Sequence, residues 1–407
     1  MRRPRRKSAP PAPSQTARAA LGPYARTQLT VRALGLSLPL DVPSDVFATR
    51  AVDAGTLLLL RNLPDRPPRS MLDLGCGYGA LGLPIAARFP SATALLVDRD
   101  LLAVRAAAHN ARSLGLSNVE VLPGLGYRDL LASARFDLLL CNVPARIGPR
   151  GVAYLLEAGR SLLAPGGELR AVAIRDLRDQ VEAAQLPGLR LAAQGPSHLV
   201  YSVPPGPSRF SLGDESVYAR DQTSFEAAPG RVLSLSRPHD ASEDPSHASA
   251  LAALLDAVPR ASPRTVFCFR CGYGVLPLAA RVRWPQAQIV AQDRDLLDTA
   301  FLRRNASALA LGGEALQVRE AVFLSEALPE GGAGLILGEA SAPSGEAVFA
   351  RELLEAKRLL VPGGEALVLA SEKQAREWLP PAAASGPAVL LRRRGFCVLR
   401  IARPKGA

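Results

Sequence analysis

Two short stretches carry residue types that could do chemistry together. Asn142-Val143-Pro144 follows the apolar run Phe136 to Cys141, so it stands where a buried strand ends and a turn begins. An exocyclic amine conjugated to a ring is a poor nucleophile. A side-chain amide oxygen and a main-chain carbonyl that accept its two N–H bonds draw the nitrogen lone pair out of conjugation, and Pro144 stiffens the backbone around such a carbonyl. The plainer alternative is a strand-ending turn, for which Asn and Pro are common. The second stretch, Asp73-Leu74-Gly75-Cys76-Gly77-Tyr78-Gly79, sets three glycines at alternate positions after an acid. Glycine adopts backbone angles closed to other residues and lets the main chain approach a ligand closely. Asp98 closes the next apolar run, 23 residues beyond Gly75, where α/β nucleotide folds set a carboxylate on ribose hydroxyls. Its plainer role is an N-cap of the following helix, a task that Asp100 suits better.

For these residues to meet, strands and helices must alternate. Ser70 to Leu74 reads as a strand, Ala80 to Phe89 as a helix, Ala92 to Val97 as a strand and Leu101 to Leu114 as a helix. Asn118 to Val121 leads into a third strand, Phe136 to Leu140 forms a fourth, and Ala164-Pro165-Gly166-Gly167 is a turn that launches a fifth. Such alternation predicts an α/β fold with a parallel sheet. A dinucleotide-binding dehydrogenase would place its third glycine three positions after the second, and would have no use for Asn-x-Pro after strand four. Here the step is two.

These motifs resemble the class I S-adenosylmethionine-dependent methyltransferases, whose Asp-x-Gly-x-Gly-x-Gly loop corresponds to Asp73 through Gly79. The resemblance implies S-adenosyl-L-methionine as cofactor, bound by Asp73, Gly75, Gly77, Gly79 and Asp98, and catalysis by Asn142 and Pro144. Asn142-Val143-Pro144-Ala145 stands where the amino-methylating subgroup carries Asn/Asp-Pro-Pro-aromatic. A ring to stack on a base would then have to come from the preceding segment, from Phe47 or Tyr24.

Internal similarity sets the architecture. Tyr24-Ala25-Arg26-Thr27-Gln28 recurs as Tyr218-Ala219-Arg220-Asp221-Gln222. Cys76 to Gly79 recurs as Cys271 to Gly274, Asp98 to Leu102 as Asp293 to Leu297, Asn110 as Asn305, and Pro165 to Glu168 as Pro362 to Glu365. One register held over so many landmarks marks a tandem duplication. We expect a disordered basic tail over 1–20, a catalytic methyltransferase domain over 21–204 and a degenerate copy over 215–405, two Rossmann-like domains joined through Pro204 to Ser208. In the second copy Asp73 is replaced by Cys268, Gly75 by Arg270, Asn142 by Glu339 and Pro144 by Ser341. An arginine at the cofactor-facing position would fill the pocket. Tandem domains with one dead copy, and the segment Val46 through Leu58, are similar to the bacterial ribosomal RNA guanine-N2 methyltransferases, in which the live copy is the second. That resemblance implies ribosomal RNA as partner and a guanine exocyclic amine as acceptor. A protein-amide or small-molecule methyltransferase, and a non-catalytic RNA-binding protein, are the alternatives.

Composition bounds the rest. At 407 residues the chain is long for one core. Five cysteines without framework spacing suit a reducing compartment. No apolar run is long enough to span a membrane, so a cytoplasmic location is expected. Cys268-x-x-Cys271 lacks the second pair that a zinc site needs, and His109, His198, His239 and His247 share no ligand spacing, so no metal is expected. The net charge of +12 belongs to the ends: residues 1 to 40 hold eight Lys/Arg and no acid, residues 378 to 407 six and no acid. Such ends suit a polyanion such as RNA, or serve as solubilising tails. An Arg-rich, acid-free start also fits an organelle transit peptide, against which its proline density argues.

Overall fold

The computed structural model describes residues 12–241, 244–259, 262–341, 343–379 and 386–406. The chain divides into two compact units, one built mainly from residues up to Gly213 and the other from Asp214 onward.

The first unit opens with helix α1 (Gln15–Leu21), where the Ser14 hydroxyl accepts the Ala17 N–H as N-cap. Asp41 anchors that cap, taking the Ser14 hydroxyl at 2.7 Å and its N–H at 3.0 Å. The tail expected to be disordered over 1–20 is therefore helical from Gln15, and residues 1–11 lie outside the described ones. A hairpin follows, β1 (Ala25–Ala33) with β2 (Leu36–Pro43), then α2 (Ala54–Leu60). The core alternates β3 (Ser70–Leu74), α3 (Gly82–Arg88), β4 (Thr93–Asp98), α4 (Leu101–Ser113) and β5 (Val119–Pro123). It continues with β6 (Phe136–Asn142), α5 (Gly148–Ser161), β7 (Leu163–Ile174), α6 (Arg178–Glu182), β8 (Arg190–Gln194) and β9 (His198–Val203).

The strands form one sheet in the order β5-β4-β3-β6-β7-β9-β8, parallel except that β9 runs against both its neighbours. Central strands covered on both faces must be apolar throughout, and Met71, Leu72, Leu138, Leu139 and Leu140 are all buried. Strand order reverses between β3 and β6, and ligands in such sheets lie outside the carboxyl ends at that point. Ala164 to Gly167, read from sequence as a turn, lies inside β7 as an irregularity of register against β6. Four residues there face Asp137 alone and Gly166 holds φ of 75°, so the expected turn persists as an excursion within the strand, with Gly167 so close to the Phe136 carbonyl that a Cβ would come within 2.7 Å.

The second unit repeats the plan. Its hairpin is β10 (Ala219–Ala228) with β11 (Arg231–Pro238), followed by α7 (Pro245–Asp256), β12 (Thr265–Phe269), α8 (Val275–Arg283), β13 (Gln288–Asp293) and α9 (Leu296–Ala308). Next come β14 (Leu316–Glu320), α10 (Leu324–Ala327), β15 (Ala333–Glu339), α11 (Glu346–Leu359) and β16 (Leu360–Ser371). The unit closes with α12 (Glu372–Trp378), β17 (Ala388–Arg393) and β18 (Phe396–Ala402). The order β14-β13-β12-β15-β16-β18-β17 matches the first sheet position for position. Along β12, Val266 and Cys268 pack into one core layer and Phe267 and Phe269 into the other, as a period of two requires.

The repeated asparagine performs the same task in both units. Asn110 takes the Asp41 N–H at 2.8 Å and gives its two amide hydrogens to the carbonyls of Asp41 and Tyr78, both at 2.9 Å. Asn305 does the same with Ser236 and with Tyr273, at 2.8, 3.0 and 2.9 Å. Each therefore ties a hairpin to the glycine loop, a structural task that both copies need.

Candidate active site

The glycine loop joins β3 to α3. Gly75, Gly77 and Gly79 have φ of 77°, 57° and 92°, the left-handed region that side chains with a Cβ avoid. Their uses differ. A Cβ on Gly75 or Gly77 would meet nothing within 4 Å, so the loop presents bare backbone to open space. A Cβ on Gly79 would strike Leu83 at 2.4 Å, so that glycine serves helix packing. The loop hangs from β4, where the Val97 carbonyl accepts the N–H groups of Gly75 and Cys76 at 2.8 and 3.1 Å.

Asp98 ends β4 and its Oδ2 accepts the Gly77 N–H at 2.8 Å. In the second unit, Asp293 holds Gly272 in the same way at 2.9 Å. This acid sets the loop in both copies. Asp73 is buried, 1% exposed, and its Oδ2 accepts the Gly82 N–H at 2.8 Å, fixing the first turn of α3. Burial pushes its carboxyl up to about 7; the Gly82 hydrogen bond opposes the rise and the Asp98 charge adds to it.

That rise has a sign that can be checked. A folded-state acid above its ordinary value of 3.8 holds a proton that the unfolded chain has lost. Between about pH 4 and pH 7 stability therefore falls as pH rises. Asp73→Asn is expected to flatten that slope in denaturation midpoints measured at pH 4.5 and 7, with the wild-type chain less stable at the higher pH. Equal slopes in the two proteins would count against it.

Asn142 ends β6, and its Nδ2 donates to Asp53 Oδ2 at 3.1 Å, with Thr56 Oγ1 at 3.5 Å. A carboxylate can only accept, so the amide nitrogen must face Asp53 and the amide oxygen is the end turned to other donors. Asp53 is the N-cap of α2, taking the Thr56 N–H at 2.9 Å. Gly55 lies so close to His198 that a Cβ would sit 2.7 Å from the ring, which seats this turn beside β9. Val143 is buried with its N–H on the Val172 carbonyl at 2.8 Å, while Pro144 and Ala145 are exposed.

The structure thus brings the glycine loop, Asp73 and Asp98 to the end of β3 and β4, and Asn142 to the end of the adjoining β6. Sequence reading missed Asp53 as the clamp on Asn142, although the helix-start signature Asp53-Ala54-Gly55-Thr56 was visible. It also missed Gly82 as the partner of Asp73. Of the two rings suggested for stacking, Tyr24 is only 2% exposed and unavailable, while Phe47 is 69% exposed. Phe47 lies in a loop where Asp45 and Ala48 hold φ of 64° and 61°, and Tyr78 of the glycine loop reaches the Ala48 carbonyl at 3.5 Å.

The second unit keeps the Asp293–Gly272 bond but not the residues at the positions of Gly75 and Asn142. Arg270 takes the place of Gly75 at φ 47°, and its Nη2 and Nε bond Glu352 Oε1 at 2.6 and 3.1 Å. Glu339, in the place of Asn142, pairs with His247 at 2.6 Å, and that hydrogen bond raises the imidazole above its usual range. Burial pushes the thiols of Cys268 and Cys271 up, away from metal-binding thiolates. Among the described residues no cluster of His, Cys, Asp or Glu could hold a metal ion, and no helix is long and apolar enough to cross a membrane.

A sheet of this order with a glycine loop after its first core strand, occurring twice, defines a pair of Rossmann-like class I methyltransferase folds, the second degenerate. Residues 38–200 match the family described as methyltransferase small domain. A ribosomal RNA small subunit methyltransferase C of Pseudomonas entomophila is 37% identical over 35% of this chain and 44% of its own. A ribosomal RNA large subunit methyltransferase G of Shewanella amazonensis is 32% identical over 36% and 39%. The chain thus spans under half the length of these curated relatives. In fold, 94% of the chain overlays all of a solved T. Thermophilus 16S rRNA N2 G1207 methyltransferase in complex with AdoMet and guanosine, with a TM-score of 0.69 at 20% identity.

Proposed function

We propose that the first unit binds S-adenosylmethionine and transfers its methyl group to the exocyclic N2 amine of a guanine in ribosomal RNA. The observation that carries this is the fixed amide of Asn142, its nitrogen on Asp53 and its oxygen end left to accept, at the sheet position where the glycine loop opens. Open space over Gly75 and Gly77 fits a cofactor lying against bare backbone. Asp98 would take ribose hydroxyls, and Asp73 would hold the loop and the helix turn behind it. When bound, the sulfonium supplies an activated methyl group.

The chain's own part is positioning and exclusion of water. Asn142 accepts one N–H of the target amine and the main-chain carbonyl beside Pro144 the other, which turns the nitrogen lone pair out of the ring plane. The bond formed to N2 would replace the methyl–sulfur bond, leaving a neutral thioether, and the surplus N2 proton would pass to water. Phe47 offers a ring to stack on the base, where Ala145 offers none. The names of the relatives and the guanosine in the fold match support ribosomal RNA as substrate. Incubation with radiolabelled methyl donor and ribosomal RNA, followed by nucleoside mass mapping, should show one methyl group at a guanine N2. Label appearing on protein alone, or nowhere, would overturn the assignment.

A further inference from the structure

The basic run near the end of the chain splits into two structural roles. Arg400 pairs with Glu365 at 2.7 Å, and Arg403 donates to the carbonyls of Arg358 and Leu360 at 3.1 and 2.7 Å, so these two arginines hold the second unit together. Arg392, Arg393 and Arg394 form a more exposed group, in which the Arg393 Nε also donates to Ser249 Oγ of α7 at 3.2 Å. They sit exposed where β17 turns into β18. Arg393 pairs in register with Phe396, leaving Arg394-Gly395 as a two-residue loop with φ of 48° and 84°. Positive φ at both positions is the type I′ hairpin turn, whose first position favours Asn, Asp or Gly. The β1–β2 turn has the same geometry at Leu34-Gly35, φ 55° and 76°, so what sets this turn apart is its charge and not its backbone.

Where the turn points is set by register. Phe396 pairs with Ser371, the last residue of β16, so the arginines project at the carboxyl end of the parallel strands, the end at which such sheets take ligands. The Gly395 carbonyl accepts the Glu372 N–H at 2.9 Å, which ties the turn to the start of α12. In the first unit the equivalent connection between β8 and β9 is Gly195-Pro196-Ser197, without charge. The copy that has lost its pocket therefore carries one arginine in the matching turn, Arg394, and two more, Arg392 and Arg393, at the end of the strand leading into it.

We infer that the Arg392–Arg394 turn is a phosphate-binding prong by which the second unit grips RNA. This rests on the substrate class proposed above and gives the degenerate copy a task. Guanidinium groups bind phosphate oxygens in pairs, and each phosphate neutralised releases counterions.

The test uses the full chain and a labelled ribosomal RNA fragment, with affinity measured from 50 to 200 mM salt. Changing all three arginines to glutamine should make the log–log salt slope shallower by about 2 and weaken binding on the order of 10- to 100-fold at 100 mM salt. Affinity for S-adenosylmethionine should not change, and three lysines should restore most of the slope. Arg394→Asn, better suited to the turn, guards against a folding defect and should remove about 0.7 of the slope. An unchanged slope in both variants, with RNA still methylated by the wild type, would overturn the prong alone. A wild-type chain that neither binds nor methylates RNA would overturn the substrate class with it.

Discussion

Asn142→Ala is expected to slow methyl transfer by about 10²- to 10³-fold, the range found when one preorganised hydrogen-bonding group is removed from a dry site. The loss should fall on kcat, with affinity for the methyl donor unchanged, because Asn142 would act on the target amine and not on the cofactor. Asp53 gives a second handle. It holds the amide nitrogen at 3.1 Å, so its removal lets the amide turn and present the wrong end. Asp53→Ala should therefore also lower kcat, by less, and cost about 1 kcal/mol of stability as a lost helix cap. The double variant should be no slower than Asn142→Ala, because Asp53 works through Asn142. Multiplying losses, or a loss confined to KM, would show that the two act separately or merely bind.

Arg270→Met is expected to destabilise the second unit by about 3–5 kcal/mol, because it leaves Glu352 buried without its cation. The Glu352 side chain is 7% exposed, so little water can replace the guanidinium. In calorimetry the change should appear as a transition lower by roughly 10 °C. Replacing both partners, Arg270→Met with Glu352→Leu, should recover most of the loss, since no charge is then left unpaired. A single variant as stable as the wild type would mean that the pair is solvated and that Arg270 does not plug the old pocket. No variant at Arg270 alone should create cofactor binding, because Cys268 and Glu339 still occupy the positions of Asp73 and Asn142.

Much of this was legible in the sequence for a physical reason: strands covered on both faces must be continuous apolar runs, and a loop passing under a ligand must be glycine. Asp73, the three glycines, Asp98 and Asn142 could all be placed at strand ends from those two requirements. The near-constant offset of 195 residues between copies, as from Gly77 to Gly272, then gave the second sheet without further inference. What stayed hidden were contacts across long sequence separations. Asp53 meets Asn142 89 residues away, and Arg270 meets Glu352 82 residues away. No local periodicity reports such pairs. Pro-Gly-Gly suits turns, and the chain does turn at Gly166, though within β7 and not before it. The helix at Gln15 was hidden by surrounding Arg, Ala and Pro, and its anchor, Asp41, lies 27 residues from Ser14.

The central claim is that the front half of the chain has a working pocket and the back half a filled one. Calorimetric titration of the full chain with S-adenosylmethionine tests it most directly, using matched changes at the two equivalent acids. The account predicts one site per chain, lost in Asp98→Ala and retained in Asp293→Ala. Two sites, or one site that survives Asp98→Ala and disappears with Asp293→Ala, would contradict it.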